Sequence, residues 1–191
     1  TCAACPAKAT GLIGGAFRFN GATGFDLASD RVNVSSATGF TVETLVKMDT
    51  LCTTSQGIAG SRSGTSDFVW AIGCENSRVT ARVADSAGNG AGAVLQSSSS
   101  LDDGKWHHLA LVRDGTFNET RLYVDGALQD SHVETLGAFA TDAPLTVGKA
   151  YPASSTLRYF NGYVDGLSLT NRALRSDEVA RQVKGRNSGL F

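Results

Sequence analysis

The stretch from Asp102 to Gly126, DDGKWHHLALVRDGTFNETRLYVDG, constrains this chain more than any other. Two apolar runs flank a polar turn initiated by Asp-Gly, so the segment reads as a long antiparallel hairpin. The rest of the chain repeats its period. GGAFRFNG puts Phe17 and Phe19 on one face, and FTVETLVK sets Phe40, Val42 and Val46 against Thr41, Glu43 and Lys47. DFVWAIGC places Phe68, Trp70, Ile72 and Cys74 together, and RVTARVAD sets Val79, Ala81 and Val83 against Thr80, Arg82 and Ala84. APLTVGK and LRYFNGYVDGLSLT continue the series, and turn-rich segments such as SRSGTS and DSAGNGAG separate the runs. Glycine at 22 and proline at 3 suit short strands joined by tight turns. The expected fold class is all-β, a two-sheet antiparallel jelly-roll sandwich.

One segment departs from this period. RSDEVARQVKG reads as a short C-terminal helix, with Ser176 as N-cap and Asp177 and Glu178 in its first turn. Arg181 and Lys184 lie near its end, where Gly185 is expected to stop it. No repeat or linker divides the chain, so residues 1–191 are expected to form a single sandwich domain.

A formal charge of −1 offers no electrostatic case for nucleic acid or an anionic membrane surface. No apolar run approaches the roughly 20 residues that span a bilayer. The chain opens without a charged and apolar leader, so a signal peptide is expected to be absent or removed. The four cysteines, Cys2, Cys5, Cys52 and Cys74, lack the double C-x2-C spacing of a zinc site. Two disulfides in an oxidising compartment are expected: Cys2–Cys5 at the terminus, and Cys52–Cys74 bridging neighbouring strands. Redox chemistry at Cys2-x-x-Cys5 is the weaker reading, because Pro6 follows where such a motif opens a helix.

Glycoside hydrolysis needs two carboxyl groups about 5–10 Å apart. Asp102 and Asp103 are adjacent in a turn, Asp177 and Glu178 open the helix, and strand acid Glu43 has no partner two residues away. His107 and His108 are strand neighbours that point to opposite faces, so they are not expected to share one metal or one acid–base task. His108 has the parity of Trp106, Ala110 and Val112 and is expected to face the interior as a structural imidazole. His132 is assigned to a loop. Asn118-Glu-Thr and Asn33-Val-Ser match the N-glycosylation acceptor, a motif common by chance.

Several phrases in order resemble the concanavalin A-like lectin/glucanase superfamily, in its laminin G-like, pentraxin-related branch. They are Phe17–Gly21, FTVETLVK at Phe40, DGKWHHLALVRDG at Asp103, LYVDG at Leu122, PLTVG at Pro144 and FNGYVDGLSLTNRALRSDEV at Phe160. Leu45 stands where the family usually has Trp, and Gly166 where an acidic residue commonly follows the aspartate. The resemblance implies a two-sheet jelly roll, a secreted setting and recognition rather than catalysis. It also implies a structural Ca²⁺ through which Asp165 ties its strand to the Asn20–Gly21 turn; otherwise Asp165 caps a turn or pairs with Arg18 or Arg172. Carbohydrate-binding members use an aromatic platform with polar loop groups, which here directs attention to Tyr151 with Arg62, Asp67, Asp85 and Asn89. Trp70 is expected in the core. The expected function is a secreted, non-catalytic, carbohydrate-binding module of a larger extracellular protein or enzyme. A protein- or matrix-binding adhesion module and a glycoside hydrolase are the alternatives.

Overall fold

A computed structural model describes residues 5–27, 34, 39–63, 67–87, 93–139, 143–150 and 157–187, with the side chains of 63, 67, 68, 186 and 187 left out. Cys2, Asn33, Asn89 and Tyr151 lie outside the described residues. The strands in chain order are β1 (Ala7–Thr10), β2 (Gly15–Asn20), β3 (Phe25–Leu27), β4 (Gly39–Met48), β5 (Gln56–Ser63), β6 (Asp67–Glu75), β7 (Arg78–Val83) and β8 (Leu95–Gln96). They continue as β9 (Trp106–Asp114), β10 (Glu119–Val124), β11 (Ala127–Val133), β12 (Leu145–Val147), β13 (Lys149–Ala150), β14 (Arg158–Tyr159) and β15 (Asn161–Thr170), followed by helix α1 (Ser176–Asn187). The larger sheet has seven strands in the order β1-β2-β15-β4-β9-β10-β11, and the smaller has six, β3-β12-β5-β6-β7-β8. The ribbon β13-β14 is separate, and every pairing is antiparallel. The fold is the expected jelly-roll sandwich, and no described helix is long and apolar enough to cross a membrane.

The inner faces follow the period of two. Phe40, Val42 and Val46 of β4, Leu109 and Leu111 of β9, and Leu122 of β10 meet Trp70, Ile72 and Cys74 of β6 and Val79, Ala81 and Val83 of β7. Burying each large aliphatic or aromatic side chain contributes about 1.5–3 kcal/mol. Cys74 is bonded to Cys52, as expected, although Cys52 lies in the loop before β5 rather than on a strand.

The outer face of the larger sheet carries a second apolar cluster. Ala110 and Val112 of β9 and Tyr123 of β10 pack under Leu174 and Val179, and helix α1 covers them. This corrects the placement of the row Trp106, His108, Ala110 and Val112. Both faces of β9 are buried in its middle, and the row expected to face the sandwich interior lies on the outside, beneath the helix and beside it. The helix also starts differently from expectation. The carbonyl of Arg175 accepts the amide of Val179, so Arg175 occupies the N-cap position. The Glu178 carboxylate accepts the amide of Arg175 and supplies only the returning half of a capping box, since a guanidinium has no acceptor for the other half. The Ser176 hydroxyl bonds Tyr123 Oη at 2.9 Å instead. The helix passes Gly185 and ends at Asn187. His132 lies on edge strand β11, opposite Thr120, and not in a loop.

The opening hairpin is β9–β10, paired from Asp114↔Glu119 to Leu109↔Val124. Asp125 and Gly126, at φ 50° and 79°, make the two-residue turn into β11, where Asp-Gly suits the left-handed backbone.

Candidate functional site

A cavity of about 370 Å³ opens on the outer face of the larger sheet, lined by residues that include Leu12, Trp106, His107, His108, Asp125 and Val183. It lies between the tip of the β1–β2 hairpin, the start of β9, the Asp125–Gly126 turn and the end half of helix α1. Two short polar turns build its rim. Asp103 accepts the amide of Lys105 at 2.9 Å across Gly104, which has φ 73°. Asp125 accepts the amide of His108 at 2.9 Å.

His107 joins these turns. Its Nδ1 lies 2.8 Å from Asp125 Oδ2 and its Nε2 lies 3.0 Å from Asp103 Oδ1. Only the imidazolium donates from both nitrogens. The bond to Asp125 raises the His107 pKa above its ordinary value, against burial, and Asp103 adds to the rise. The bond from His107 holds Asp103 far below the usual carboxylate range, with the Lys105 amide assisting. Burial pushes the Asp125 carboxyl up, but the bonds from His107 and the His108 amide outweigh it and its pKa is lowered.

His108 is 2 % exposed. Its Nε2 lies 3.1 Å from Glu43 Oε1, and Glu43 is itself buried at 3 %. Its Nδ1 has no hydrogen-bond partner. The structural role expected for this imidazole therefore has a partner, a strand carboxylate on β4. Both histidines line the one cavity, each with its own carboxylates.

Next to the cavity the outer face carries a row of side chains that runs across four strands. Arg18 on β2 stands opposite Tyr163 on β15, Tyr163 opposite Lys47 on β4, and Lys47 opposite Trp106 on β9. The Arg18 guanidinium carbon is 5.6 Å and Lys47 Nζ 4.9 Å from the Tyr163 ring centre. The Trp106 and Tyr163 rings meet edge to face at 6.1 Å. Arg18 also pairs with Asp49 at 3.0 Å. Sequence reading did not find this row, because it depends on the register of strands distant in the chain. For the bonding of His107 to Asp103 and Asp125, the short separation of Asp103 and His107 was the one local signal.

The residues singled out from the sequence are not brought together. Asp165 is 6 % exposed, and its Oδ2 accepts the amide of Ile13 at 2.9 Å in the β1–β2 hairpin tip. Asn20 pairs with Asn161, four positions before Asp165 on β15, or about 13 Å along the strand. The Asn20 carboxamide accepts the amide of Ala22, and the Gly21 amide donates to Phe160. Asp165 thus caps a turn, one of the alternatives read from the sequence, while Arg18 and Arg172 bond Asp49 and Glu178. Among the described residues no group of three or more His, Cys, Asp or Glu is placed to hold a metal ion. Asp165 with the Asn20–Gly21 turn does not fit a shared calcium ion.

Arg62 lies in β5 and Asp67 opens β6, so both are strand rather than loop residues. Asp85 is 2 % exposed and accepts the amides of Ala87 and Gly137, which ties two loops together instead of lining a rim. Trp70 is fully buried in the core, as expected. Cys5 is described, but the expected Cys2–Cys5 bond involves a residue outside the described ones.

Among solved structures the chain resembles domain 4 of AbnA, an extracellular arabinanase from Geobacillus stearothermophilus, in complex with arabinotriose. The identity is 20 %, the TM-score 0.67, and the match covers 94 % of this chain and 82 % of that one. It also resembles a heptameric SAP-like pentraxin from Limulus polyphemus, at 13 % identity and TM-score 0.67, over 90 % and 82 % of the two chains. The botulinum neurotoxin serotype G binding domain matches at 15 % identity and TM-score 0.71, over 98 % of this chain but 47 % of that one. These likenesses are of fold. No curated protein matches the chain in sequence. A laminin G-type family model matches residues 19–180. With that match over most of its length, and with the two-sheet sandwich described above, the chain belongs to the laminin G-like branch of the concanavalin A-like lectin/glucanases superfamily.

Proposed function

We propose that this chain is a non-catalytic carbohydrate-recognition module of a secreted, multidomain protein. The observation that carries the reading is its likeness in fold to the arabinanase domain in complex with arabinotriose, over 94 % of this chain and 82 % of that one. The Cys52–Cys74 disulfide supports an oxidising setting. The strand acids Glu43 and Asp165 are buried and engaged, one by His108 and the other by the Ile13 amide, which favours binding over hydrolysis. Affinity electrophoresis through gels containing neutral and acidic polysaccharides, with a glycan array beside it, tests the reading. Retardation by at least one polysaccharide is expected; unretarded migration in all of them, with a silent array, would sink it.

A second reading, adhesion to a protein or matrix partner, is favoured by one surface. Edge strand β11 and the β9–β10 turn expose Leu128 at 53 %, Val133 at 69 % and Phe117 at 73 %. An edge strand with apolar side chains can pair with another chain. Binding to an extracellular protein that survives enzymatic deglycosylation of that protein, and is lost on Phe117→Ser with Val133→Ser, would favour it.

A further inference from the structure

We propose that the outer face of the larger sheet, along the row Arg18, Tyr163, Lys47 and Trp106 and into the adjoining cavity, binds an acidic saccharide. This rests on the carbohydrate-recognition reading and names its ligand class and its face.

The row crosses four strands, so its ends stand about 14 Å apart, three inter-strand spacings of roughly 4.8 Å. That length suits an extended chain lying across the strands. Tyr163 stands between two cations from the flanking strands, which holds both heads near the ring before any ligand arrives. Charge around the row is largely matched within the protein. Asp49 answers Arg18, Asp103 lies 3.2 Å from the Lys105 ammonium, and Asp103 and Asp125 share the His107 imidazolium. Among the described residues Lys47 makes no ion pair, and its ammonium lies 4.9 Å from the centre of the Tyr163 ring. A carboxylate or sulfate is the group that completes it.

The cavity at the Trp106 end supplies what a sugar ring requires. Its volume of about 370 Å³ falls within the range of roughly 300–1,000 Å³ usual for small-ligand sites. Trp106 offers an indole for a sugar C–H face, Asp103 and Asp125 offer acceptors for hydroxyls, and Leu12 and Val183 close the sides. Buried His108, with its unpartnered Nδ1, belongs to the same wall.

The protein carries its own reporter. Of its two tryptophans, Trp70 is fully buried in the core and Trp106 lines the cavity, so ligand-dependent fluorescence reports Trp106. The test is a titration of oligogalacturonate and, separately, neutral arabinotriose into the wild type, Lys47→Gln and Tyr163→Leu, with a thermal melt of each variant. Oligogalacturonate is expected to shift the fluorescence, more weakly as salt rises, and Lys47→Gln to weaken binding about tenfold, the loss of one charge-assisted contact. If Tyr163→Leu melts early, Lys47→Gln decides. Arabinotriose binding with no response to oligogalacturonate overturns the acidic ligand but leaves the carbohydrate reading standing. Oligogalacturonate binding that Lys47→Gln leaves unchanged overturns the site. Silence toward every glycan in the array overturns both.

Discussion

Asp125 accepts two hydrogen bonds at once, from Nδ1 of His107 at 2.8 Å and from the amide of His108 at 2.9 Å. Through this carboxylate the turn between β10 and β11 is bolted to the start of β9, and through Nε2 the same imidazole reaches Asp103 on the preceding turn. The clamp exists in full only while His107 is charged and both carboxylates are ionised.

Stability is therefore expected to vary with pH in a stated direction. The folded-state pKa of His107 is raised. Its contribution is complete below the unfolded value of about 6.5 and is lost as pH rises through the raised value. The pKa values of Asp103 and Asp125 are lowered, so their contributions hold above about pH 4 and fade as pH falls below that. Melting midpoints from pH 5 to 9 should decline through the His107 titration, and His107→Gln should flatten that decline. A histidine NMR titration giving an unshifted His107 would contradict this account.

The buried Glu43–His108 pair predicts an asymmetry between two substitutions. Glu43→Ala leaves His108 without a hydrogen-bond partner at either ring nitrogen, at a cost of about 2–4 kcal/mol. Glu43→Gln retains an acceptor of nearly the same shape and should cost about half as much or less. Urea denaturation of the two variants measures the difference, and equal losses would show that the pair itself matters little.

Gly11 has no room for a side chain: a Cβ there would meet the Asp165 carboxylate. Gly11→Ala should destabilise by about 1–3 kcal/mol through this overlap. In an Asp165→Ala background the same change should cost less, because the obstructing oxygens are gone. A double-mutant cycle that returns simple additivity would remove the proposed contact as the cause.

Chelation gives a separate check on the calcium expectation. Since Asp165 bonds Ile13 and is not brought to Asn20–Gly21, any change that EDTA makes to the melting midpoint should be the same in the wild type and in Asp165→Asn, which keeps an acceptor for Ile13. A midpoint that EDTA lowers and calcium restores in the wild type, but not in Asp165→Asn, would make this carboxylate a calcium ligand.

Local sequence determined a large part of this molecule, because alternation, turn chemistry and cysteine spacing act over a few residues. The inward rows of β4, β6 and β7, the Asp125–Gly126 turn and the Cys52–Cys74 bond were all legible in that way. Tertiary structure decided what alternation leaves open. A period of two says that Trp106, His108, Ala110 and Val112 share a face of β9; it does not say whether that face meets the other sheet or helix α1, since both bury apolar side chains. The N-cap position falls to Arg175, whose amide the Glu178 carboxylate accepts, while the Ser176 hydroxyl bonds Tyr123 from the neighbouring sheet. Asp165 found its partner across a hairpin 152 residues away in the chain. The row from Arg18 to Trp106 joins β2, β15, β4 and β9, strands far apart in sequence, and such a row exists only once their register is set.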